Sequence, residues 1–279
     1  MMSDNNNRIL PSLTHKAVAY ASFVIAVYFN IRYVVGLHSH LDNDHTFHVA
    51  NTPFTANVFF IVAYWLLLYV LQLTFLVQFY RPESAIIERS KDIGWHFTLF
   101  NILQIIWSWL FARGHFFWSE VTLIVNFFNL LALYVSHKPY AVTPVSRWAQ
   151  IHVPTTAMPF SWIFYAIFWN GAVLFHAKGL AARIVANVLI WDFLIVPAMF
   201  LVLYKDWAVG LSSSYLMWGL GVGQFFVKVF ALQWIFAFII ASLLFVGSLL
   251  MAVAPRPVIS ESEAPALPNE RAPLLSGGV

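Results

Sequence analysis

Charge is almost absent from most of this chain, and the places where it is absent decide the fold class. Of 279 residues, only 15 are Lys or Arg and 12 are Asp or Glu. The windows 49–80, 93–112, 121–137, 148–177, 207–227 and 229–255 contain none of these four types. Roughly 20 apolar residues in a helix cross a bilayer core, so windows of this size read as membrane spans. Lipid offers no partner to exposed backbone N–H and C=O groups, which leaves helices or closed barrels. Continuous apolar runs lack the alternation of a barrel strand. The expected fold is therefore all-α, a polytopic transmembrane helix bundle.

Eight spans are expected, near 17–36, 56–80, 93–112, 117–136, 159–175, 183–204, 208–224 and 229–253. A single helix over 208–253 would be about 69 Å long, far more than a bilayer is thick. A break near Gly223 to Lys228 resolves this, with Gly219, Gly221 and Gly223 weakening the end of the seventh helix. With eight spans both termini share one side. That side holds Arg8, Lys16, Arg81, Arg89, Lys91, Lys138, Arg147, Lys205, Arg256 and Arg271, and the other only Arg32, Arg113, Lys178, Arg183 and Lys228. The positive-inside rule puts both termini in the cytoplasm, whereas a seven-span count nearly erases the bias.

The chain thus divides into a cytoplasmic polar head (1–16), a transmembrane bundle (17–253) and a tail (254–279). Pro255, Pro257, Pro265, Pro268 and Pro273 crowd the tail, and its composition predicts cytoplasmic disorder. The first apolar run, 17–31, lacks a following small-residue cleavage site and reads as a retained span rather than a signal peptide. The net charge of +3 is dispersed, which gives no basis for nucleic-acid binding. The absence of Cys excludes disulfides, thiolate metal sites and cysteine nucleophiles. No triad, Gly-rich phosphate loop, HExxH or paired catalytic carboxylates appear, so the chain is not read as an enzyme.

Aromatics reach 18%, with 12 Trp. Trp95, Trp118, Trp148 and Trp207 fall near helix ends, where indoles anchor at headgroups. Trp65, Trp107, Trp109, Trp162, Trp169, Trp191 and Trp218 fall nearer mid-span. An indole N–H in hydrocarbon wants a partner, so these are candidates to line a pocket for a flat or apolar ligand; helix packing is the alternative for each. Asp192 lies inside the sixth span, five residues before Pro197. A carboxylate there must pair, protonate or face water, which suits a proton-coupled site or a cross-helix hydrogen bond. Asn57, Asn101, Asn126, Asn129, Asn170 and Asn187 are read as amides bonding across helices. Lys228 and Arg32 are placed at interfaces, where they snorkel; a retinal-type Schiff base at Lys228 has no support beyond the lysine itself.

Two polar segments stand apart. The loop 36–48 carries His38, His40, His45 and His48 with Asp42 and Asp44. It reads as a solvated loop, with metal binding or pH sensing as the alternatives. In the tail, Glu270, Leu274 and Leu275 fit the acidic dileucine pattern, similar to sorting signals read by clathrin adaptors. That favours a vacuolar, lysosomal or other endomembrane location.

The stretch W-H-F-T-L-F-N-I-L-Q-I-I-W-S-W-L-F-A-R-G-H-F-F-W-S-E-V-T-L-I (95–124) resembles the translocator-protein-like, tryptophan-rich sensory proteins through Asn101, Trp107, Trp109 and Phe111. Residues 51–69 are similar to the family's first core helix. M-P-F-S-W-I-F-Y-A-I-F-W-N (158–170) is similar to a segment of its larger, eight-span relatives, and there is similarity to a group of uncharacterised fungal membrane proteins. The chain differs in an added N-terminal span and in the spacing between Asn101 and Trp107. The resemblance implies an aromatic-lined pocket for porphyrins, haem, sterols or other flat apolar ligands, built on Trp65, Asn101, Trp107, Trp109, Trp162, Trp169, Asn170, Trp191 and Asp192. The expected function is a receptor or carrier for such a ligand. The alternatives are a small-solute transporter or channel using Asp192, and a non-catalytic membrane subunit or scaffold. A homo-oligomer is compatible with each.

Overall fold

The computed structural model describes residues 4–40, 52–80, 84–141, 145–227 and 232–253, with side chains for all but 4–12, 33–40, 84–92 and 227. These residues form helices and no strand. In chain order the helices are α1 (Asp4–His40), α2 (Val58–Val77), α3 (Ser84–Ala112), α4 (Phe116–His137), α5 (Val145–Leu174), α6 (Leu180–Tyr204), α7 (Trp207–Val227) and α8 (Leu232–Val253). Five of the helical stretches are long and apolar enough to cross a membrane: Val58–Tyr80, Phe116–His137, Val145–Leu174, Leu180–Tyr204 and Leu232–Val253. The chain is an all-helical, multi-pass membrane protein.

Polarity runs inside out. Leu66, Val70, Leu73 and Val77 face outward on α2, while Tyr64, Gln72 and Gln78 are buried in the bundle. Ser119, Asn126, His152, Asn170 and Asp206 are buried as well. In water such an arrangement would be costly on both faces. In lipid it is the expected solution, because the exterior is as apolar as the solvent and polar side chains join helices inside.

The centre of the bundle is α5, which packs against α2, α4 and α7. Its first turns (Val145–His152) pass through a π-helical turn, Val153–Ala157, into the main segment Met158–Leu174. Pro154 lies in the wide turn, and the carbonyl of Pro154 accepts from Gln72 Nε2 of α2 at 3.5 Å. The sequence placed this span at 159–175. The helix starts earlier because the wide turn accommodates Pro154, which an ordinary α-turn would not.

Two other expectations change. The sixth span is not one helix: α6 breaks at Ile190–Trp191 and restarts at Asp192. Pro197 deprives the Phe193 carbonyl of its donor, but the break lies six to seven residues before Pro197, nearly two turns away, and the proline does not by itself explain it. The glycines of α7 do not weaken it either, since α7 continues to Val227. They let neighbours approach. A Cβ on Gly223 would stand 2.7 Å from the backbone nitrogen of Asn57, and the Asn57 N–H donates to the Gly219 carbonyl at 2.9 Å. Gln224 Nε2 adds bonds to the Thr52 and Thr55 carbonyls at 3.0 and 2.9 Å. The Thr52–Asn57 lead-in to α2 is thereby stitched onto α7. The proposed break at Lys228 lies outside the described residues.

Candidate functional site

On α3 the inward stripe is Phe97, Phe100, Asn101, Gln104, Trp107, Ser108 and Phe111, the spacing of one helix face. Trp107 from this stripe meets Trp162 and Trp169 of α5, with ring centroids 6.2 Å away in each case. Trp162 continues to Trp65 of α2 at 5.1 Å, edge to face. Trp169 continues to Phe111 at 4.9 Å, and Phe111 to Phe116 at the start of α4 at 5.3 Å. One chain of touching rings therefore crosses the bundle from α2 to α4.

These indoles are underused. The N–H groups of Trp107, Trp162 and Trp169 are buried and meet no acceptor among the described residues, and neither amide atom of Gln104 has a partner. A buried donor without an acceptor costs about 1–3 kcal/mol, so three in one cluster need an explanation beyond packing. Nearby polar groups are, by contrast, fully used. Ser108 donates to Asn30 Oδ1 at 2.8 Å, and Asn30 Nδ2 donates to the Tyr69 hydroxyl at 2.7 Å, tying α3, α1 and α2 together.

At the α4 end of the ring chain sits a polar knot. Asn170 Nδ2 donates to Glu120 Oε2 at 2.7 Å and to the Phe116 carbonyl at 3.1 Å, while Asn170 Oδ1 accepts from Ser119 at 2.6 Å. The amide is buried and its orientation is fixed from three directions.

The structure brings together Trp65, Trp107, Trp162 and Trp169, with Asn170 beside them. It excludes the other expected members. Trp109 is 37% exposed under the Arg113 guanidinium, which stands 4.3 Å from its ring centre, because two positions from Trp107 is roughly 200° round the helix. Asn101 bonds back to the Phe97 carbonyl of its own helix at 3.1 Å. Trp191 packs on Phe236 of α8, and Asp192, half-buried, opens the second segment of α6. Trp148, expected at an interface, is 1% exposed and packs on Trp207 with ring centroids 4.8 Å apart, tilted at 41°. Asn126 and Asn129 do bond across to α3, at the Phe100 and His96 carbonyls.

A second buried cluster went unseen in the sequence. Asp206, in the turn before α7, accepts from His152 Nε2 at 2.8 Å and from the Tyr134 hydroxyl at 3.0 Å through one oxygen. Its other oxygen receives the Ala208 and Val209 N–H groups at 3.2 and 3.4 Å, capping α7. Burial alone would push this carboxyl up. The His152, Tyr134 and Val209 bonds outweigh it and hold Asp206 below the usual carboxylate range. Both carboxylate oxygens are engaged, His152 Nδ1 alone meets no partner among the described residues, and the cluster ties α4 and α5 to α7, which makes it a structural clasp.

His38, His40, His45, His48, Glu270, Leu274 and Leu275 lie outside the described side chains. Among the described residues no group of His and carboxylates is placed to hold a metal ion.

The comparisons with known proteins follow the fungal side of the resemblance. Residues 183–275 match a family described as fungal protein of unknown function, DUF1774. An uncharacterized protein of Schizosaccharomyces pombe is 31% identical over 231 residues, covering 80% of this chain and 81% of that one. The chain belongs to that protein's family. Neither match is to a translocator-protein-like protein, and no solved structure matches. The stretch 183–275 spans α6 to α8 and contains Asp206, but none of the four clustered tryptophans.

Proposed function

We propose that this protein is a membrane receptor or carrier that holds a flat, largely apolar ligand against Trp65, Trp107, Trp162 and Trp169. Three buried indole N–H groups with no acceptor, on rings linked through Trp107, carry this reading. A planar molecule with oxygen or nitrogen acceptors at its edge satisfies those donors while its faces lie on the rings. Porphyrins and sterols have this character, as the resemblance to the tryptophan-rich sensory proteins implies. The bundle crosses the membrane eight times with both termini in the cytoplasm, and the dileucine tail directs it to a vacuolar or endosomal membrane through a clathrin adaptor.

Protoporphyrin titration of the purified protein, followed by tryptophan quenching, tests the reading, with a sterol as competitor. The expected result is saturable micromolar quenching. The double variant Trp107→Phe, Trp169→Phe keeps two aromatic rings but removes two donors, and is expected to weaken binding at least ~10-fold. Quenching that never saturates, or is unchanged in that variant, overturns the ligand site.

A second reading, a small-solute transporter, is favoured by the break in α6 immediately before Asp192, since discontinuous helices build transporter sites. Asp192→Asn would then abolish uptake into proteoliposomes while leaving porphyrin quenching intact.

A further inference from the structure

The second segment of α6 turns its one carboxylate outward. Contacts with α5 fix which side of that segment is inside. Phe193 meets Phe168 with ring centroids 4.6 Å apart, and Phe200 meets Phe160 at 4.9 Å; both are buried, as are Pro197 and Leu201. At about 100° per residue these four point roughly 80–180° round the helix from Asp192. Ile195, Met199 and Leu203 lie within about 60° of Asp192, and all three are exposed. Asp192 therefore stands on the outer stripe of a helix whose surroundings are lipid.

Depth makes that position costly. Asp192 is at the centre of the 25-residue span Leu180–Tyr204. About 18 Å of helix separates it from either end, against a hydrocarbon half-thickness of about 15 Å. One methylene joins its carboxyl to the backbone, so it cannot reach the headgroups as a lysine does. Nothing in the bundle relieves it, since among the described residues Asp192 makes no hydrogen bond or ion pair. A carboxyl in hydrocarbon needs a partner, and here that partner has to come from outside the chain.

A second copy supplies one without any new residue type. Copies inserted in one membrane share an orientation, so a two-fold axis along the membrane normal sets α6 parallel to the same helix of its partner, with equal positions at equal depth. Between Asn187 and Tyr204 the only polar side chains on α6 are Trp191 and Asp192, and Trp191 is turned toward Phe236 of α8. The one base on α6, Arg183, is about 14 Å away along the axis. What a second α6 can offer at that depth is its own Asp192. Two protonated carboxyls are self-complementary: each donates its O–H to the other's C=O, and the pair carries no charge into the lipid.

We infer that the outer face of α6 is a homodimer interface, in which the Asp192 carboxyls of two copies pair across a two-fold axis in mid-membrane, flanked by Ile195, Met199 and Leu203. The inference is independent of the aromatic ligand site, and it gives Asp192 a role other than transport.

The absence of native Cys lets disulfide cross-linking report the interface. Full-length protein carrying Met199→Cys, oxidised with copper phenanthroline in its native membrane, is expected to form a cross-linked dimer. Val70→Cys, exposed on α2, is expected to form none. Adding Asp192→Leu to Met199→Cys is expected to lower the cross-linked fraction at least ~10-fold. Adding Asp192→Asn is expected to preserve it, because an amide both donates and accepts; on the transporter reading that same substitution abolishes uptake. Cross-linking equal at positions 70 and 199 would be random collision and overturns the interface, as does a Met199→Cys dimer that survives Asp192→Leu. A complex that needs Asp192 but holds one copy of this chain beside a different membrane protein also overturns it. The comparison of Met199→Cys with Val70→Cys keeps Asp192 intact, so it decides the matter even where Asp192→Leu fails to fold.

Discussion

At the residue scale, Asp206 concentrates the most interaction in one side chain. Its carboxyl is held below the usual range when folded, so its contribution to stability is present in full above the ordinary aspartate value. That contribution disappears as pH falls through the lower, folded value. Melting in detergent is therefore expected to be flat from pH 7 to 5 on this account, and to drop on the acid side of about 4. Asp206→Ala leaves His152 and Tyr134 buried without their acceptor and is expected to cost roughly 3–5 kcal/mol at pH 7. Tyr134→Phe removes one bond to a charged acceptor, at about 1.5–3 kcal/mol. A wild-type acid slope that persists in Asp206→Ala would assign it elsewhere. The sequence hid this residue well, because His152 and Asp206 are 54 positions apart and Asp206 reads as an ordinary loop acid. Glu120 was equally unmarked: it falls inside the expected fourth span, 117–136, but the Asn170 that holds it is 50 positions away.

The element scale shows which features of a helix a sequence reveals. Each expected span overlaps helical structure, the sixth in two segments, because apolar length sets where a helix can lie in lipid. Which way each aromatic points is harder. Trp107 and Trp109 look equivalent in composition, yet the helix turn sends one inward and the other out beside Arg113. The glycines of α7 were misjudged for a related reason. Low helix propensity is a weak force beside tertiary contact, and here the missing Cβ is what permits the close approach. Gly223→Ala sets a methyl group against backbone atoms of Ala56 and Asn57, which cannot rotate aside as a side chain would. The expected loss is about 1–3 kcal/mol, read as a lower melting temperature. Gly247→Ala, also inside a helix, where a Cβ meets only the Leu201 side chain at 3.6 Å, serves as the matched control and is expected not to lower the melt. Equal effects at both positions would show that propensity, not contact, governs.

For the whole molecule, the number of crossings decides which ends of the helices share a compartment. Five helical stretches meet the span criterion on length and hydropathy. α3 and α7 carry inward polar residues, Ser108 and Gln224 among them, that bond to neighbouring segments. Their lower hydropathy thus has a structural cause: polar groups that bond inside the bundle instead of facing lipid. If all eight helices cross, the start of α1 and the end of α8 lie together, and Lys178, between α5 and α6, lies opposite. The absence of native Cys makes this directly testable with single-cysteine variants and a membrane-impermeant maleimide. In sealed cells or vesicles with the cytoplasmic face inside, Lys178→Cys is expected to label at once, and Ser3→Cys and Gly277→Cys only after permeabilisation. Labelling of Ser3→Cys and Gly277→Cys on opposite sides would mean an odd number of crossings. One of the polar helices would then lie within the bundle without traversing it, and the side on which the start of α4 lies would be the one that Lys178→Cys reports.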